Sequence, residues 1–138
     1  MNGYDNVDER FRDQRDRAEA LVEQSAEDPL TIARVLHHLS MLSREMNKTI
    51  LDLSAKATDL AVDFESRRVK IIDELQEKGF GLYRARDRAD YEVREDRRAA
   101  EQAKNVVDYV KRTQASVNRR HFELMNVGKH VDNETRNR

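Results

Sequence analysis

Between Lys111 and His121 the chain reads KRTQASVNRRH, four fixed positive charges with no acid among them. Elsewhere acids and bases mostly alternate, so this band carries self-repulsion that a negatively charged partner would relieve. Lys111 and Arg119 lie eight residues apart, and Arg112 and Arg119 seven, which sets two lines of charge on neighbouring faces of a helix. Lys104 stands one heptad before Lys111, and Arg120 beside Arg119. Single-stranded nucleic acid needs such a track, because each phosphate neutralised releases counterions. Tyr109 and Phe122 add rings on which unpaired bases could stack. The candidate nucleic-acid-binding residues are therefore Lys104, Tyr109, Lys111, Arg112, Arg119 and Arg120. Two other readings of the band stand beside this one. It could be a solvated face whose bases are answered by acids of the N-terminal arm, or it could meet an acidic protein surface.

Other chemistries find no constellation. His37 and His38 are adjacent, hence about 100° apart on a helix, and cannot share a metal ion. His121 and His130 have no carboxylates at ligand spacing, and the chain contains no cysteine. There is no glycine-rich phosphate loop, no HExxH, and no nucleophile with a base at helical reach. The sequence predicts no catalysis, no metal and no cofactor.

The elements that must carry the band are long helices. Asp28-Pro29 reads as a helix start, with Asp28 the N-cap and Pro29 where a missing N–H costs nothing. From Pro29 to about Lys78 apolar residues recur at steps of three or four: Ile32, Val35, Leu39, Leu42, Met46, Ile50, Leu53, Ala57, Leu60, Phe64, Ile71, Leu75. That heptad seam predicts one helix about 75 Å long. Lys78-Gly79-Phe80-Gly81 predicts a turn near 79–81. A second seam, from Leu82 through Ala85, Ala89, Val93, Ala100, Ala103, Val107, Val110 and Val117 to Leu124, predicts a second helix closed by Gly128 as its C′ residue. Asp96, Gln114 and His121 fall on or beside this seam. The fold expected is all-α: a long, coiled-coil-like antiparallel hairpin over residues 29–128, an acidic, partly ordered arm over 1–28, and a polar tail over 129–138. A hairpin buries one seam per helix, which leaves Leu36, Val62, Val69, Ile72, Val106, Tyr109, Phe122 and Met125 over. These predict a homo-oligomer, with Val106, Phe122 and Met125 at the contact.

Composition agrees. Of 138 residues 38% are charged, with one proline, four glycines and no tryptophan, as in extended helices with narrow apolar seams. No apolar run of about 18 residues could cross a membrane. The start lacks a signal-peptide pattern, so a cytoplasmic protein is expected. The net charge of −1 conceals a gradient. Residues 1–30 hold nine acids and four arginines, whereas residues 84–138 hold fourteen bases and ten acids.

Two stretches, REMNKTILDLSAKATDLAVDFE (Arg44–Glu65) and VNRRHFELMNVGKHVD (Val117–Asp132), resemble the UvsY-type recombination mediators among the small helical bacteriophage proteins. The resemblance spans roughly residues 40–132. It implies self-assembly, binding of single-stranded DNA, and help in loading a RecA-like recombinase onto strands covered by a single-strand-binding protein, in the host cytoplasm if the chain is phage-encoded. The contrasting expectation is a structural or adaptor coiled coil, for phage assembly or host inhibition, whose basic band binds an acidic protein.

Overall fold

The computed structural model describes residues 9–136. They form four helices and no strand: α1 (Glu9–Glu23), α2 (Pro29–Glu77), α3 (Leu82–Glu92) and α4 (Arg94–Arg136). Two compact units divide the chain, and α2 and α4 contribute to both. The first unit comprises Met1–Leu51 and Asp108–Arg138, the second Asp52–Val107.

In the first unit α1, the front of α2 and the back of α4 enclose an apolar core of Phe11, Ala18, Ile32, Val35, Leu39, Leu42, Met46, Val110, Val117 and Leu124. These are the seam residues of the sequence, joined by two from α1. The α2–α4 pairing is antiparallel, and polar side chains on the seam set its register. Gln114 donates through Nε2 to the Ser43 carbonyl (3.0 Å) and to Asn47 Oδ1 (2.6 Å), while Ser43 Oγ donates to Asn118 Oδ1 at 2.8 Å. α2 begins as read. Asp28 accepts from the Thr31 amide at 2.9 Å and the Thr31 hydroxyl at 2.6 Å, and these bonds hold its carboxyl below the ordinary aspartate value.

In the second unit the end of α2 turns back into α3 as a helical hairpin. The Phe80 amide bonds the Leu75 carbonyl and the Gly79 amide bonds that of Gln76, the paired bonds of a Schellman ending. Gly79 has φ +94°, a left-handed conformation that favours glycine. Gly81, the other glycine of the expected turn, needs no such freedom. At φ −66° and ψ 157° it is extended backbone open to any residue. Ile72 and Leu75 pack on Ala85 and Ala89, with Ile71 and Phe80 alongside, so small side chains next to the turn allow close approach. Arg68 Nε meets Asp90 at 2.6 Å, which raises the pKa of Arg68, and Arg67 pairs with Asp96. Ile72 is thus core rather than surplus.

Two further expectations need correction. The second seam is not one helix, since Val93 (φ −98°, ψ 8°) separates α3 from α4. Hydrogen bonds nevertheless continue across it, Val93 to Ala89 and Arg97 to Val93, and no glycine or proline marks the place. Gly128 does not end a helix. α4 continues to Arg136, and Gly128 faces Ile32, where an added Cβ would meet Cγ2 at an ordinary 3.6 Å. Interhelix packing outweighs the roughly 1 kcal/mol by which glycine disfavours a helix interior. Residues 129–136 of the expected tail are therefore helix. Residues 9–23 of the expected arm form α1, a helix too short to persist alone but docked through Phe11 and Ala18. Residues 1–8 of that arm and 137–138 of the tail lie outside the described residues.

Candidate nucleic-acid interface

The outer face of α4 in the first unit carries Asp108, Lys111, Arg112, Arg119, Phe122 and Lys129, all exposed. Eleven helical residues separate Lys111 from Phe122, so the two stand within about 20° of one line. Phe122 is 65% exposed. Lys111, Arg112 and Arg119 have no carboxylate within ion-pair distance among the described residues, Asp108 included. That sets them apart from many arginines among the described residues. Arg17, Arg67, Arg68, Arg88, Arg97 and Arg98 all meet an acid.

The structure divides the sequence-predicted residues. Lys104 is exposed, on the part of α4 that belongs to the second unit. Arg120 belongs to the packing and not to the band. Its Nη2 donates to the Gln24 carbonyl at 2.9 Å, just beyond the end of α1, and its Nη1 lies 3.7 Å from Glu123. Its Nε is buried without a partner among the described residues. This guanidinium sits where cations suit a helix C-terminus. Tyr109 is also engaged, half-buried edge-to-face against Phe11 with ring centroids 5.5 Å apart. The Arg112 guanidinium lies 5.9 Å from the Tyr109 centroid. Of the two rings offered for stacking, Phe122 is therefore the open one.

The residues expected at an oligomer contact also separate. Val106 is half-buried in the second unit, while Phe122 and Met125 are exposed in the first. α1 now covers Tyr109, a position the sequence left to a second copy. Sequence reasoning missed this docking because α1 has only a few apolar residues. Its fasteners are a buried Phe11, the bond from Arg120, and an ion pair from Arg17 to Glu45 at 2.5 Å, whose hydrogen bond raises the pKa of Arg17. Phe11 at the start of an amphipathic stretch was the available signal.

Among the described residues no group of three or more His, Asp or Glu could hold a metal ion, and no helix is long and apolar enough to cross a membrane. No protein-family model, curated protein or solved structure matches the chain.

Proposed function

We propose that this protein is a non-enzymatic accessory protein that binds single-stranded DNA through α4 and serves as a recombination mediator for a RecA-like recombinase. The supporting observation is the exposed trio Lys111, Arg112 and Arg119, with no carboxylate at ion-pair distance among the described residues, on the same side of α4 as the exposed Phe122 ring. Phosphates would take the three charges and a base would lie on the ring. The contacts are to backbone and to a ring face, so sequence preference is weak and unpaired strands are favoured over duplex. The recombinase and single-strand-binding protein partners rest on the family resemblance alone. Self-assembly through Phe122 and Met125 belongs to the same reading, and it would compete with stacking for the Phe122 ring.

The test is a fluorescence titration of a labelled oligonucleotide at low salt with the wild type and with Lys111→Ala/Arg112→Ala/Arg119→Ala. Helix content and oligomer size are checked alongside. Binding should favour the single strand over its duplex and fall at least tenfold in the variant. Equal affinities of the two proteins would overturn the assignment.

A further inference from the structure

Seven residues in the first unit's part of α2 follow one another at alternating steps of four and three: Leu30, Arg34, His37, Met41, Arg44, Lys48 and Leu51. This is a second heptad line, on the side of α2 opposite the buried seam of Ile32, Val35, Leu39, Leu42 and Met46. Every residue of it is exposed, Leu30 at 79%, Met41 at 50% and Leu51 at 70%. Single exposed aliphatic residues are ordinary, but three in register with bases between them are a pattern. Glu45 is the only acid between Pro29 and Leu51, and it is bound to Arg17 off this line. Arg34, Arg44 and Lys48 have no ion-pair partner among the described residues.

We infer that this face docks an acidic amphipathic helix of a partner protein, in addition to the nucleic-acid binding proposed for α4. Aliphatic side chains of the partner would meet Leu30, Met41 and Leu51, and its carboxylates would meet Arg34, Arg44 and Lys48, over about 32 Å of α2. Charge complementarity selects that occupant. A nucleic acid would use the bases but leave the three aliphatic side chains in water, and the line offers no aromatic ring but His37. A lipid surface needs a broad continuous apolar face, whereas here the aliphatic residues stand about 15 Å apart with cations between them. A second copy offers its own exposed acidic stretch of α2, with Asp59, Val62, Val69 and Asp73, but its two valines stand about 10 Å apart and cannot meet two aliphatic residues spaced about 15 Å.

The probe is a fluorescein-labelled synthetic helix with leucines spaced as Leu30, Met41 and Leu51 and glutamates spaced as Arg34, Arg44 and Lys48, titrated with the full chain. It should bind, and the same peptide with lysine for glutamate should bind roughly tenfold more weakly, as three exposed charge pairs turn from attraction to repulsion. Arg44→Glu/Lys48→Glu should reverse that preference, and Met41→Glu should abolish binding of the acidic peptide. Lys111→Ala/Arg112→Ala/Arg119→Ala should bind the peptide as wild type does, so failure of the α4 reading leaves this one standing. Failure of both peptides, or equal binding of the two, overturns the inference. So does binding to phosphatidylserine vesicles in place of the peptide, or a wild-type dimer dissociated by Met41→Glu.

Discussion

Arg119 and Arg120 are neighbours in sequence, yet their replacement by alanine should give opposite results. Arg120 donates to the Gln24 carbonyl and has a side chain only 23% exposed, whereas Arg119 meets no acid among the described residues and faces water. A hydrogen bond from a charged donor is worth about 1.5–3 kcal/mol. Gln24 is exposed, so water replaces part of the lost bond, and the Glu123 pair at 3.7 Å adds little. Arg120→Ala should therefore cost about 1–2 kcal/mol, and Arg119→Ala less than about 0.5 kcal/mol. Urea unfolding followed by circular dichroism reads the total. Hydrogen exchange of the α1 amides shows whether the loss begins with release of that helix. DNA binding should invert the ranking. Arg119→Ala removes one phosphate contact and lowers the log–log salt slope by about 0.7, while Arg120→Ala leaves the slope unchanged. An Arg120→Ala protein of full stability with a reduced slope would refute the division of these two residues.

Three further predictions concern the fold. Gly79→Ala forces a side chain into φ +94° and should destabilise by about 1 kcal/mol, whereas Gly81→Ala should be neutral; thermal unfolding of both compares them. Phe11→Ala removes a fully buried ring and should cost about 3 kcal/mol, with loss of exchange protection in α1; unchanged protection would mean that α1 docks by other contacts. Asp28→Ala removes a cap whose carboxyl is held below the ordinary aspartate value. That stabilisation is complete above the ordinary value and is lost as pH falls through the lowered one. The Tm gap between wild type and variant should thus be widest at neutral pH and close in acid, and a pH-independent gap would contradict the cap.

Much of the fold was legible because it is periodic. The heptad positions of α2 from Ile32 to Met46 are buried as read, Asp28 caps, and the chain turns at Gly79. Where the pattern failed, tertiary packing outweighed local preference. Gly128 is a helix breaker by propensity, but it sits inside α4 against Ile32. The interruption at Val93 has no local signature at all, since a buried valine looks like any other seam residue. The candidate site was half legible. Charge spacing found Lys111, Arg112 and Arg119, because exposed charge on a helix follows directly from sequence. It could not show that Arg120 turns to Gln24 or that Tyr109 packs on Phe11, for both depend on α1, whose docking is a long-range event.

The central claim is that Lys111, Arg112 and Arg119 form a phosphate track for single strands. The most direct measurement is the salt dependence of wild-type binding to a labelled oligonucleotide, with the triple alanine variant in parallel. Three contacts at about 0.7 each predict that the wild-type log–log slope exceeds that of the variant by about 2 per chain, with helix content the same. Equal slopes for the two proteins, or no wild-type binding at low salt, would contradict it.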